Sequence, residues 1–211
     1  MRKSELAAIL IILISFVVGI YFYPKMPQEM ASHWNSQGKV DGYTSKFWGL
    51  FLMPIISAGM FLLFVLIPRI DPLKENIKTF RKYFDWFIFL IFVFLFYLYV
   101  LTIVWNSGYK FDLVRFLAPA FGLLFYSAGV LVENAKRNWF IGIRTPWTLS
   151  NDVVWDKTHK LGGRLFKISA GISFLGIFFP DFAIYFVIIP VILFSIYLFA
   201  YSYLEYKKNN K

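Results

Sequence analysis

Long apolar runs alternate with short polar connectors along this chain, and the runs have the length of a bilayer crossing. A helix that spans the hydrocarbon core needs about 20 mostly apolar residues. Residues 6–23, 47–67, 86–105, 116–132, 165–179 and 182–204 fit that description. The third is the plainest, free of charge and with Trp86 and Trp105 at its ends, as aromatic belts at the two interfaces require. The fifth is the shortest and carries Lys167 near its start. Its small residues (Ser169, Ala170, Gly171, Ser173, Gly176) let a neighbouring helix approach closely. Residues 6–23 follow Arg2 and Lys3 and lack a small-x-small cleavage site, so they read as an uncleaved first helix. The pattern predicts an all-α membrane protein: a bundle of six transmembrane helices, with a short interfacial helix between the fourth and the fifth.

Composition supports this class. Hydrophobic residues are 59% and charged residues 16%, with mean hydropathy +0.61. Soluble domains run at about 45–50% apolar and roughly 25% charged. With no cysteine, disulfides, thiol nucleophiles and cysteine metal sites are excluded. The net charge of +10 points to loops facing anionic lipid and not to direct nucleic-acid binding. Among the lysines and arginines, only Lys25, Lys39, Lys46, Lys110 and Arg115 fall in the odd-numbered loops, and Lys167 falls in a span. The rest lie in the tails, including Lys207, Lys208 and Lys211, and in the even loops. The positive-inside rule therefore puts both termini and residues 134–164 in the cytoplasm, in a multi-pass protein of the cell membrane.

Two polar stretches are richer than tethers need to be. The longer, 138–159, reads N-W-F-I-G-I-R-T-P-W-T-L-S-N-D-V-V-W-D-K-T-H. Proline at 146 lacks an N–H and restricts Thr145, which predicts an extended or re-entrant piece over 138–147 with Arg144 donating to carbonyls. Ser150, Asn151 and Asp152 supply N-cap chemistry for a helix of about ten residues. On it Asp152, Trp155 and His159 share a face, Asp156 and Lys160 form an i, i+4 pair, and Gly162-Gly163 bends it into the fifth span. Asp152 with His159 is the one acid–imidazole pair in reach, and no G-x-S-x-G nucleophile accompanies it. The physics favours clamping or partner binding over catalysis, with no cofactor or metal called for.

The shorter stretch, 27–46, reads P-Q-E-M-A-S-H-W-N-S-Q-G-K-V-D-G-Y-T-S-K and is turn-rich: Gly38 and Asp41-Gly42 mark turns, as does Asn35 with Ser36. Residues 28–34 fit two turns of interfacial helix with Met30 and Trp34 on one face. Trp34 serves there as a lipid anchor or as part of an outward recognition surface with His33.

Both stretches resemble known signatures. Asn138, Gly142, Arg144, Thr145, Pro146, Thr148, Trp155 and His159 match N-x-x-x-G-x-R-T-P-x-T followed by W-x-x-x-H, the signature of the SdpI family of bacterial toxin-immunity membrane proteins. Pro27, His33, Trp34, Asn35, Gly38, Asp41, Gly42 and Lys46 resemble the domain of unknown function that accompanies that family. The resemblance implies a non-enzymatic role: protection from a secreted, membrane-active peptide toxin, and in some members tethering of a cytoplasmic transcriptional repressor. It implies a division into an N-terminal two-helix unit with the H-W-N loop (1–68), a third helix with its loops (69–115) and an SdpI-like three-helix unit (116–211). A small carrier for an amphipathic ligand is the alternative. Against it, transport of polar solutes leaves ionisable groups at depth, and these spans carry almost none.

Overall fold

The computed structural model describes residues 2–209. Lys211 of the basic tail lies outside them. Helix α1 (Lys3–Phe22) is followed by a 3-10 turn at Tyr23–Lys25. Next comes a hairpin of β1 (Glu29–Trp34) and β2 (Val40–Ser45), and then α2 (Lys46–Ile70), α3 (Lys74–Thr79) and α4 (Arg81–Asn106). The chain ends with α5 (Leu113–Asn134), α6 (Pro146–Ser150), α7 (Asp152–Phe174) and α8 (Ala183–Asn209). Among the described residues, α1, α2, α4, α5 and α8 are long and apolar enough to cross a membrane. Leu10, Val17, Ile20, Leu62 and Ile192 point outward and are exposed, the surface that lipid covers in a multi-pass protein.

The fold is all-α apart from one short hairpin, where the predicted helix over 28–34 is instead a strand. The turn chemistry prevails over the helical spacing: Asn35 Oδ1 accepts from the Gln37 and Lys39 amides (2.9 and 3.0 Å), and Gly38 sits at φ +70°. The two strands pair antiparallel, Glu29 opposite Ser45 and Ala31 opposite Tyr43, with an irregular register at His33. A two-stranded hairpin is marginal alone. Here the Asn106 side chain extends the ladder, accepting from the Ala31 amide (2.8 Å) and donating to its carbonyl (3.1 Å). Met30 is buried against Gly49, and Trp34 packs edge-to-face on Trp105 (5.6 Å), not as a lone lipid anchor.

The interfacial helix and the fifth span are likewise not two elements. They form one continuous helix, α7, 23 residues long. Gly162 and Gly163 do not bend it, because both are buried contact surface. A Cβ on Gly163 would stand 2.8 Å from the Gly129 carbonyl oxygen and 2.6 Å from Glu133 Cβ on α5, and one on Gly129 would stand 2.7 Å from the Gly163 oxygen. Further along, Gly122 meets Ala170 and Phe174, and Gly176 meets Ala118. The two helices thus run antiparallel at close range. That contact replaces a hydrophobic drive that lipid does not supply. Ser169, Ala170 and Ser173 lie buried in this contact region, while Gly171 faces open space. Lys167 is paired with Glu133 of α5.

Two groups of helices result. In the first, α1, α2 and α4 pack around Ile12, Ile88 and Phe92; in the second, α5, α7 and α8 pack together. They share a core at one end, where Ile77 and Phe80 meet Leu131, Ala135, Ile141 and Trp155. The N-terminal half of α7 projects past the end of α5 at that end, and residues 135–151 fold around it.

Candidate functional site

Residues 135–151 form a compact plug at the end where α5 and α8 terminate. Asn138 organises its first half. The side chain is fully buried, with Oδ1 accepting from the Phe140 and Ile141 amides (2.9 and 2.6 Å) and Nδ2 donating to the Lys136 and Ile141 carbonyls (2.8 and 2.9 Å). All four hydrogen-bonding positions of the amide are in use. The irregular backbone is thereby satisfied without water, as non-helical chain near a membrane must be.

Gly142 follows at φ +115°, in the left-handed region that side chains disfavour. A Cβ there would lie 2.4 Å from His159 Nε2. The missing side chain lets the next amide, of Ile143, donate to that nitrogen at 3.0 Å. His159 Nδ1 donates to the Trp155 carbonyl (2.9 Å), which fixes the neutral tautomer. The imidazole stacks on the Trp155 indole with centroids 3.8 Å apart, and Trp155 Nε1 donates to the Ala135 carbonyl (2.8 Å). Burial pushes the His159 imidazole down to about 4, so it is neutral at pH 7.

Thr145 and Pro146 start a helix where a stop was expected. Thr145 is the N-cap of α6, exchanging bonds with Thr148, and Pro146 occupies the first turn, where its missing N–H has no consequence. The Thr148 hydroxyl also donates to the Ile143 carbonyl (2.8 Å), and Thr145 Oγ1 meets Ser202 Oγ of α8 at 3.1 Å. Asn151 caps α7 through the Val153 and Val154 amides. Arg144 is exposed and clamps the loop by donating to the Trp139 carbonyl (2.7 Å).

The structure does not bring Asp152 to His159. Asp152 pairs with Arg137 (2.8 Å), and both His159 nitrogens are engaged elsewhere. Asp156 faces Lys136 at 3.5 Å and not Lys160.

Sequence reasoning missed three ties. Asp71, almost fully buried, accepts from the Leu73 and Trp139 amides (2.6 and 2.9 Å), joining the α2–α3 turn to the plug. Asn76 of α3 donates to the Arg137 carbonyl (2.7 Å). Glu205 of α8 pairs with Lys157 (2.7 Å) and Lys208 (3.1 Å), whose hydrogen bonds hold its carboxyl below the ordinary range. The available signals were Asp71 before Pro72 in the basic connector and Glu205 at the start of the basic tail.

The other signature lies at the opposite end of the molecule. His33 Nδ1 donates to Asp41 Oδ1 (2.5 Å), with the two side chains 70% and 45% exposed. Asn35 holds the turn, Gly38 rests on Asp112, and the Lys46 ammonium sits 4.8 Å from the Tyr23 ring centre. Beneath the hairpin a crevice of about 260 Å³ runs between α4, α5 and α8, lined by Trp34, Met53, Thr102, Leu117 and Val187 among others. Trp34 Nε1 is buried with no hydrogen-bond partner among the described residues. Among those residues no three His, Asp or Glu side chains are grouped to hold a metal ion.

Both ends correspond to regions found in other proteins. Residues 10–58 match the model of a domain of unknown function, DUF1648, which here covers most of α1, the hairpin and the start of α2. Residues 134–202 match the SdpI/YfhL protein family, from the end of α5 to Ser202, the partner of Thr145. Immunity protein SdpI of Bacillus subtilis (strain 168) is 26% identical over 212 residues, covering 99% of this chain and 98% of that protein. No solved structure matches the chain. The two matched regions in this order, together with a relative alignable from end to end, make the chain similar to the SdpI/YfhL family in its C-terminal third and to immunity protein SdpI along its length.

Proposed function

We propose that this protein is a membrane immunity protein that protects its cell from a secreted, membrane-active peptide toxin. The observation that carries the reading is the likeness to immunity protein SdpI along 99% of the chain. In this account both termini and the plug face the cytoplasm, because the plug end holds most of the lysines and arginines. The hairpin then faces outward. Its exposed His33–Asp41 pair, the crevice below it and the unpartnered Trp34 N–H form the toxin-recognition surface. At the cytoplasmic end, Arg144 is exposed on the surface of the plug, donating to the Trp139 carbonyl, and is the contact point for a cytoplasmic repressor held at the membrane.

The test is survival of a toxin-sensitive strain expressing the chain, challenged with a small secreted peptide encoded beside its gene. Protection supports the reading, and unchanged killing at a verified membrane level overturns it. Arg144→Ala is expected to leave protection in place and to abolish co-purification of the repressor with membranes.

A further inference from the structure

Apart from the plug and the hairpin, one further cluster of charge is arranged as a site. At the plug end of the first helix group, α1, α2 and α4 enclose a cleft of about 390 Å³ lined by Arg2, Glu5, Val65, Pro68, Arg69 and Arg81. Three guanidinium groups converge there. Arg2 contacts Glu5 (2.6 Å) and Asp85 (3.5 Å), and Arg81 reaches Asp85 through Nε alone (3.0 Å). Arg69 has no ion-pair partner among the described residues, and Arg2 Nε is buried without a hydrogen-bond partner among them. Two carboxylates thus face three cations. The excess positive charge lies on the side of Arg69 and of the outer nitrogens of Arg81.

The position of the cleft narrows its ligand. α1 begins at Lys3, α2 ends at Ile70 and α4 begins at Arg81, so the arginines stand where three apolar helices leave the hydrocarbon. Val65, one turn deeper on α2, and Pro68, next to Arg69, supply an apolar wall beside the charges. Planar guanidinium forks beside such a wall match a phosphodiester whose acyl chains continue into the bilayer.

We propose that this cleft is a binding site for the phosphate of an anionic phospholipid, seated between Arg69 and Arg81 with Arg2 behind it. The site stitches α1, α2 and α4 together at their charged ends and is independent of toxin recognition.

The test uses the full-length protein in detergent, titrated separately with phosphatidylglycerol, phosphatidylcholine and inorganic phosphate. Bound lipid is read by native mass spectrometry and stabilisation by thermal unfolding. Phosphatidylglycerol is expected to bind saturably and raise Tm, and the other two are not. Arg69→Gln and Arg81→Gln should each weaken phosphatidylglycerol about fivefold, on the scale of one basic residue at a lipid surface. Lys74→Gln, on a neighbouring but separate helix, should leave it unchanged. Arg69→Lys separates fork recognition from simple charge, and should recover only part of the affinity. Equal binding of phosphatidylcholine, or undiminished binding by an Arg69→Gln/Arg81→Gln protein with wild-type Tm in lipid-free detergent, would overturn the proposal. Equal stabilisation by inorganic phosphate would overturn the lipid assignment in favour of a free-anion site.

Discussion

The hairpin and the plug are built from similar letters, each with a histidine, a tryptophan, an asparagine and a glycine turn, yet they use them in opposite ways. In the plug, His159 and Trp155 are buried against each other, and every polar atom of Asn138 is bonded to backbone. In the hairpin, His33 and Asp41 are turned to solvent and paired side chain to side chain, while the buried Trp34 N–H has no partner among the described residues. A polar group already bonded inside the fold has nothing left to offer a ligand without breaking what it holds. On the proposed function, the plug is architecture and the hairpin is where recognition chemistry remains free.

Substitutions should separate the two regions by size of effect. Gly142→Ala is expected to be the most damaging, because it combines a disfavoured φ with a Cβ 2.4 Å from His159 Nε2. Strain and overpacking together predict a loss of roughly 3 kcal/mol or more, seen as collapse of Tm in detergent. Asn138→Ala strands buried backbone groups and should cost about 2–3 kcal/mol in the same measurement.

The pH dependence sharpens the contrast. His159 titrates near 6.5 when unfolded and about 4 when folded, so the unfolded chain binds the extra proton between those values. Stability accordingly falls as pH drops through that window, by about 2 kcal/mol between pH 7 and pH 5. Thermal unfolding at a series of pH values checks this, and His159→Gln should flatten that part of the profile. At the small end, His33→Ala and Asp41→Ala should change stability by about 0.5 kcal/mol or less, since an exposed pair contributes little.

Much of the fold was legible in the chain. Five of the predicted spans are helices of crossing length, because apolar run length in a membrane protein has few other meanings. The errors share a cause. Met30 and Trp34 at i, i+4 suggested a helix, but the Asn35–Gly38 turn made a hairpin, and Asn106, 75 residues from Ala31, bonded it in place. Gly162-Gly163 suggested a bend, but Ile143 at Gly162 and α5 at Gly163 occupied the space their side chains lack. In each case a distant partner held the local conformation, and short-range spacing does not carry that partner. The Arg144 clamp was legible from donor chemistry alone. Asp71 was not, since its partner, the Trp139 amide, lies 68 residues away.

The central claim is that protection resides in the exposed hairpin on a scaffold locked by the plug. The direct measurement is survival of toxin-challenged cells carrying the wild-type chain or a His33→Ala/Asp41→Ala variant, at matched membrane levels and with Tm determined for both. The account predicts that the wild type protects and that the double variant, equally stable, protects at least tenfold less (about 1.4 kcal/mol of lost recognition). Full protection by the double variant would contradict it.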